Sequence, residues 1–483
     1  MQTELTSRAA GSRRDEGLTG STPQLEAQIE RLRTSLRLAV VFGGDKLAPG
    51  SVLYSSHNTR PCKSYEAVAI DIADALRRIG FRHVDLMPDD MHLGDRLRSN
   101  NIHMAWLNTG GIQGYDPTAH AAAMLEMFGV PYVGHDPLAT TVLDNKHAFK
   151  SEALSAGLPT ASFVTWHMTR GAFRPEVNAR FQRAFHDFAG PFVVKPVSGR
   201  ASLHVHVVDD KAGLPHAVEE VYRATENLVL IEKYLPGREF CIAAAGPISA
   251  RQGRLVRRRD PFTFAALERV LSPSERIFTS MDVQPITQDR CQSVDRRRDP
   301  VHWDALHRLA RQVFLEFNLR SLVRIDMRSD ENGDLHILEV NPKPDLKKPA
   351  EGVTNLVSMG LPEAGMDYDD LILSLLADRL NFLFTHRRDS VGHLVDLLQP
   401  RAPTGWGPLH HERVSGPAAE AYRHTSAEAA VHATAVEMIA KSSDDHAFAD
   451  INALATNVNL RALEAVPAEP ARRKPRRHAR GRS

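Results

Sequence analysis

Hydrophobic positions along the chain fall into short runs with two different periods. Leu36-Arg37-Leu38-Ala39-Val40-Val41-Phe42 is a nearly unbroken apolar run closing on Gly43-Gly44, the pattern of a buried strand that ends in a turn. Ala67, Ile70, Ala73 and Leu76 follow at helical spacing, and residues 83–87 and 102–107 read as further strands. Alternation of strand and helix predicts a parallel α/β sheet in this part of the chain. From Asp144 through Lys146 the spacing predicts a helix running to Ala156-Gly157, with Pro159 just beyond as a stop. The style then changes to strands at 191–196 and 203–208, joined by the small-residue turn 197–202. Another apolar run, 228–235, bends at Pro236-Gly237 and continues through Cys241-Ile242-Ala243. Near residue 322 two alternating runs, Leu322-Val323-Arg324-Ile325-Asp326-Met327 and His336-Ile337-Leu338-Glu339-Val340-Asn341, flank a polar stretch containing Asn332-Gly333. That is a hairpin signal.

Composition narrows the class. A chain of 483 residues with 42% hydrophobic content can bury a large core across two or three domains. The 60 basic residues against 59 acidic ones give no global steering towards nucleic acid or membrane. Cys62, Cys241 and Cys291 are far apart and form no CxxC arrangement, so neither a disulfide framework nor a zinc site is indicated, and a cytoplasmic location is expected. No apolar run approaches the length of a membrane span, and the charged N-terminus lacks the apolar core of a secretory signal. Gly43-Gly44 fits neither GxGxxG nor the P-loop pattern. Residues 400–417 read as a Pro/Gly-rich linker and 418–463 as an alanine-rich helical extension. The tail from Ala471 is strongly basic, a pattern that occurs both in solubilising ends and in contacts with nucleic acid.

The hairpin carries the candidate chemistry. Side chains two apart on a strand share a face, so Arg324 and Asp326 point together, as do Glu339 and Asn341. If the strands pair, an arginine, two acids and an amide converge, and that oxygen set suits Mg²⁺ completed by substrate phosphates. A solvated hairpin with ordinary surface charges would show the same pattern.

Read together, Lys146, Val193-Val194-Lys195-Pro196, Leu230-Ile231-Glu232-Lys233-Tyr234-Leu235-Pro236-Gly237-Arg238-Glu239, Arg324-Ile325-Asp326 and Leu338-Glu339-Val340-Asn341 occur in one order. The ordered set resembles the ATP-grasp superfamily and, within it, the D-alanine–D-alanine ligase group, across residues 36–385. The resemblance implies an α/β protein with α+β subdomains, that is, an ATP-grasp fold with an N-terminal Rossmann-like pre-ATP-grasp domain. The expected divisions are a mobile arm (1–35) with a short helical pattern through Leu25, Ile29 and Leu32, the N-terminal α/β domain (36–143), a small ATP-grasp subdomain (144–233), a large subdomain with the metal site (234–385), and a linker, helical extension and tail (386–483).

By the same resemblance, Lys146 and Lys195 contact ATP phosphates, Glu232 with the backbone of Lys233 to Leu235 forms the hinge that meets adenine, and Glu239 accepts from the ribose. Asp326, Glu339 and Asn341 hold Mg²⁺, or Mn²⁺ in its place, while Arg324 and Ser202 are the catalytic candidates, Arg324 facing the reacting carboxyl. The implied reaction phosphorylates a carboxylate from ATP and lets an amine displace phosphate, so a lid must exclude water. Residues 198–202 and 251–285 are the lid candidates, and Arg257-Arg258-Arg259 is either an acidic-substrate contact or a solvated face. Partners are then a small carboxylate and an amine, expected to be amino acids, with no membrane and with homodimerisation implied by the resemblance alone.

Departures from the group concern the amino-acid half. Asn108-Thr109-Gly110-Gly111 stands where the group has a His-Gly loop, 45–61 reads as an insertion, and Pro342-Lys343-Pro344-Asp345-Leu346-Lys347-Lys348-Pro349 replaces a Ser/Thr-Pro-Gly-Met stretch. A carboxylate–amine pair other than two D-alanines is therefore expected. The competing functional classes are a nucleotide-binding sensor or scaffold without ligase activity, and a kinase-like protein that stops at the acyl-phosphate.

Overall fold

The computed structural model describes residues 22–44, 65–111, 117–199, 202–272, 275–277, 290–350 and 355–399. The expected insertion, the distal half of the longer lid candidate with Phe278, and the linker, extension and tail from 400 onward lie outside them.

The N-terminal region is built on a fully parallel four-stranded sheet with the spatial order His83–Asp89, Arg37–Gly43, Met104–Asn108, Tyr132–Val133. Helix Glu66–Ile79 forms where the spacing predicted one, but it buries Val68, Ala69, Ile72, Ala73, Ala75 and Leu76; of the four positions read from the spacing, Ala73 and Leu76 are buried and Ala67 and Ile70 are exposed. It stops at Gly80, whose φ of 113° only glycine adopts without strain.

The expected mobile arm differs in its second half. Residues Pro23–Leu32 form a helix with Leu25, Ile29 and Leu32 buried. Thr22 Oγ1 donates to the Leu255 carbonyl at 3.0 Å, and Glu26 accepts from the Leu255 amide at 2.9 Å. Three buried aliphatic side chains, each worth about 1.5–3 kcal/mol, outweigh the polar composition that suggested an arm.

The predicted helix through Asp144 and Lys146 is two helices, Pro137–Asp144 and Lys146–Ser155. Asn145 breaks them: its backbone is extended and its side chain accepts from the His147 and Ala148 amides. Asparagine competes with the helical hydrogen bond by capping, so the chain restarts and Lys146 becomes the first residue of a new helix.

Two antiparallel sheets follow. The smaller has the order Phe163–Trp166, Val229–Lys233, Phe192–Pro196, His206–Val208. Its last strand is shorter than the expected 203–208, because Ser202 and His204 have positive φ and cannot continue a ladder. The larger sheet runs Cys291–Ser293, Leu267–Arg269, Glu239–Ala245, Val323–Ser329, Leu335–Asn341, with Phe262–Thr263 also pairing onto Glu239–Ala245.

The longer lid candidate is therefore mostly framework in its first half. Ile248–Arg251 and Arg254–Arg257 form a hairpin, and Phe262 and Phe264 are buried. Buried aromatic side chains hold a segment in place, the opposite of what a lid needs. Arg257 donates to Asn381 of the helix Tyr368–His386, and Arg258 stacks over Phe262. Packed structure continues past residue 386, where a linker was expected: Val391, Leu394 and Leu398 are buried, around the short helix Gly392–Asp396. No described helix is long and apolar enough to cross a membrane.

Candidate functional site

The hairpin Val323–Ser329/Leu335–Asn341 forms as the alternation predicted. Asp326 lies opposite Glu339, and Arg324 opposite Asn341. The turn is organised by Asp330, whose carboxylate accepts from the Asn332 and Asp334 amides at 2.9 Å each, with Gly333 at positive φ. A bulge after Asp326 leaves Leu338 unpaired, a local irregularity that re-aims side chains beside the carboxylates. Nothing in the alternation signals it.

A cavity lies between the two antiparallel sheets. Lys146, Lys195, Glu232, Lys233 and Leu235 line it from one side, and Glu239, Asp326 and Glu339 from the other. Ser202 also lines it, from the exposed end of the small-residue turn.

At one end the charges are lysines against glutamates. Lys195 pairs with Glu232, and Lys150 Nζ lies 2.9 Å from the same carboxylate. Lys150 also donates to Thr160 Oγ1 at 2.6 Å, and that hydroxyl donates to the Ile337 carbonyl. Burial would raise the Glu232 pKa, but Lys150 and Lys195 outweigh it and hold the carboxyl below its ordinary range. Burial likewise opposes the charge on both lysines. It prevails at Lys150, which is lowered, whereas Glu232 and Glu339 hold Lys195 above its usual value. Lys146 Nζ lies 3.1 Å from Glu339 Oε2 and donates to the Gly199 carbonyl at 3.2 Å, while its amide bonds the Val197 carbonyl. Against the effect of burial, Lys146, Lys195 and Arg324 bring the Glu339 pKa down to about 2.

At the other end the cations are arginines. Arg324 makes a two-pronged bond to Asp326, at 2.8 and 2.9 Å. Arg269 bridges Glu239 at 2.8 Å and Asp326 at 3.4 Å. Arg328 reaches the second Glu239 oxygen at 3.3 Å, the Gly237 carbonyl at 3.1 Å and the Tyr234 hydroxyl at 2.9 Å. Burial works against the charge on Arg269 and Arg324, yet neighbouring carboxylates raise both. The Pro236-Gly237 bend presses on the hairpin so closely that a Cβ at Gly237 would sit 2.2 Å from Ser329 Oγ, so only glycine fits.

The structure thus gathers Lys146, Lys195, Glu232, Glu239, Asp326 and Glu339 around one cavity, with Arg324 and Asn341 beside them on the hairpin. It gives Glu232 a different aspect from the hinge expectation: its carboxylate faces the buried lysines. Of the hinge backbone, the Lys233 amide bonds the Ser162 carbonyl and the Tyr234 amide the Pro191 carbonyl. Lys150, Arg269 and Arg328 were not foreseen. Lys150 sits one turn beyond Lys146, and Arg328 two residues beyond Asp326, so both periods pointed to them. Arg269 lies on a three-residue strand with no pattern to betray it.

The donor set fits a hard divalent cation only in combination. Among the described residues no three His, Cys, Asp or Glu side chains gather closely enough to hold a metal alone. Asp326 Oδ2 and Glu339 Oε1 each lie 3.5 Å from the Asn341 amide nitrogen, so turning that amide would add its oxygen to two carboxylates. Two acids and an amide leave room for phosphate oxygens, the mixed shell that Mg²⁺ takes. Arg324, Arg269 and Lys146 pair with these acids.

Comparison with known proteins bears on the fold and on the family the chain resembles. The family model described as "D-ala D-ala ligase C-terminus" matches residues 153–377. The D-alanine--D-alanine ligase of Stutzerimonas stutzeri is 27% identical over 346 residues, covering 71% of this chain and 94% of its own. The chain is similar in sequence to D-alanine–D-alanine ligases and has the ATP-grasp fold. The D-alanine--D-alanine ligase of Pelotomaculum thermopropionicum is 24% identical over 351 residues, covering 71% of this chain and 96% of its own. Among solved structures, D-alanyl-alanine synthetase A from Vibrio cholerae superposes with a TM-score of 0.51 at 17% identity, covering 72% of this chain and 99% of its own, a likeness of fold.

Proposed function

We propose that this ligase-like chain is an ATP-dependent ligase that joins a carboxylate to an amine through an acyl-phosphate, releasing ADP and phosphate. The observation that carries the reading is the single cavity on which two lysines, a carboxylate pair and, beside them, an asparagine and Arg324 converge.

Lys146 and Lys195 act as point charges for the polyphosphate, exchanging their present glutamate partners for phosphate oxygens. Leu235 and the strand ending at Lys233 flank the base, and Glu239 accepts from the ribose. Asp326, Glu339 and Asn341 would hold Mg²⁺ or Mn²⁺, which when bound supplies positive charge against the phosphates. The substrate carboxylate oxygen attacks the γ-phosphorus and ADP leaves. The amine then attacks the acyl carbon, loses a proton, and phosphate departs with the bonding pair. Arg324, rigid and always charged, stabilises the oxygen that becomes negative in the second step. Ser202 lies at the cavity mouth, where the turn after Lys195 covers the phosphates.

The substrates are amino acids or close relatives, with an acceptor side rebuilt relative to D-alanine. Its described part is a proline-stiffened strap. Lys343 Nζ stacks 3.4 Å from the centre of the Tyr65 ring, the Lys348 amide bonds Asp71 at 2.9 Å, and Tyr368 holds the Leu346 carbonyl at 2.7 Å. The ammonium groups that this strap carries at Lys343, Lys347 and Lys348 suit an acceptor that carries an anionic group. Homodimerisation remains part of the proposal, checked by solution mass. A sensing or scaffolding role would not require Arg324 beside a metal-type oxygen set. Screening amino-acid pairs for phosphate release, with mass spectrometry of products, tests the reading. An amide formed in step with ADP supports it. ADP without a new amide would instead indicate transfer that stops at the acyl-phosphate, and no ATP turnover with any pair would remove the ligase assignment.

A further inference from the structure

We infer that Arg328 is a positioning residue for the sugar end of the nucleotide: by holding Glu239 from the side opposite Arg269, it sets the discrimination between ribose and deoxyribose. The inference rests on the nucleotide-site reading above and deepens it.

Arg328 follows Arg324 and Asp326 on the same strand face, so the alternation that builds the metal end also delivers a guanidinium to the sugar end. It is 4% exposed and lines the cavity. Its donors are nearly all committed. Nε bonds the Gly237 carbonyl at 3.1 Å, Nη1 bonds the Arg276 carbonyl at 2.8 Å and Glu239 at 3.3 Å, and Nη2 bonds the Tyr234 hydroxyl at 2.9 Å, with the guanidinium 4.8 Å from the Tyr234 ring centre. The Tyr234 hydroxyl in turn donates to the same Arg276 carbonyl at 2.9 Å. A guanidinium held at this many points cannot swing, so the carboxylate it touches is fixed too.

Glu239 then has Arg269 on Oε1 and Arg328 on Oε2, and each oxygen keeps a lone pair for a hydroxyl donor. Two cations on opposite oxygens fix the plane of the carboxylate, which lines the cavity. A carboxylate free to rotate would accept from water or from either sugar and would discriminate less. The role differs from that of Lys146 and Lys195, because Arg328 acts on the sugar through Glu239.

Equilibrium binding of ADP, 2′-deoxy-ADP and 3′-deoxy-ADP tests this without any turnover. Wild type is expected to bind ADP at least about tenfold more tightly than one of the deoxy analogues, the loss of one hydrogen bond to a charged acceptor. Arg328→Gln is expected to bind all three within about twofold of one another, with Arg328→Lys intermediate. Tyr234→Phe, which removes one anchor and keeps the ring, covers the case in which the glutamine variant does not fold, and is expected to lose part of the preference. Wild-type ratios retained in folded Arg328→Gln, or in both Arg328→Lys and Tyr234→Phe, would overturn the inference. So would wild type binding the three analogues equally. Wild type binding no ADP at all would strike the nucleotide-site reading itself.

Discussion

The two ends of the cavity solve the same electrostatic problem with different cations. At the lysine end, where we propose the phosphates bind, Lys150 and Lys195 share Glu232 in near-complete burial, and Lys146 holds Glu339. At the arginine end, where we propose the sugar binds, Arg269 and Arg328 share Glu239, and each has further partners fixed by backbone or by Asp326. Ammonium groups on flexible stems can trade a carboxylate for a phosphate, whereas forked guanidiniums hold one geometry. The contrast separates a region built to exchange partners from a region built to keep them.

The sharpest way to probe the exchanging end is Glu339→Gln. It is expected to leave the fold intact and to lower turnover by about 10³-fold or more, since it removes a carboxylate from the charge balance around the transferred phosphoryl group. Phosphate release with the best substrate pair checks it, and near-normal turnover would break the assignment of this end.

The next effect compares the two ends directly. Glu232→Ala strands two buried lysines side by side and is expected to cost about 3–5 kcal/mol in denaturant unfolding. Glu239→Ala leaves Arg269 with Asp326, and Arg328 with two carbonyls and a hydroxyl, so it is expected to cost clearly less. Equal losses would erase the distinction between the ends.

The smallest effect is a pH dependence. Glu339 titrates near 2 in the folded chain, against an ordinary value of 4.5. A depressed acid adds stability that is present above its unfolded pKa and lost as pH falls through the folded one. The stability difference between wild type and Glu339→Gln should therefore be constant above about pH 5 and shrink between pH 4.5 and about 2, as followed by urea unfolding at a series of pH values. A difference that grows with acidity would contradict the pairing with Lys146.

How legible each end was follows from how it is built. The lysine end and the metal-type oxygens ride on strands and a capped helix, where periods of two and three to four mark a shared face. Lys195, Asp326, Glu339 and Arg324 could be placed together from spacing alone or with the resemblance. Arg269 could not, because three residues of strand carry no period, and its neighbourhood read as a basic loop until Phe262 and Phe264 were seen buried. The break at Asn145 and the bulge at Leu338 were equally silent, since a local hydrogen bond and a one-residue misregister decide them. The helix Pro23–Leu32 showed in the spacing of Leu25, Ile29 and Leu32, and only the polar composition around them suggested that it would belong to a mobile arm. The proposed acceptor side stayed the least legible, because no periodicity in the proline-rich strap encodes a substrate.

The central claim is that the carboxylate is phosphorylated before the amine attacks. The most direct test uses the best substrate pair with its carboxylate labelled in heavy oxygen, and follows the label by mass spectrometry. Transfer of one labelled oxygen into the released phosphate for each amide formed is the predicted result. Label absent from phosphate, or found in AMP, would contradict the account.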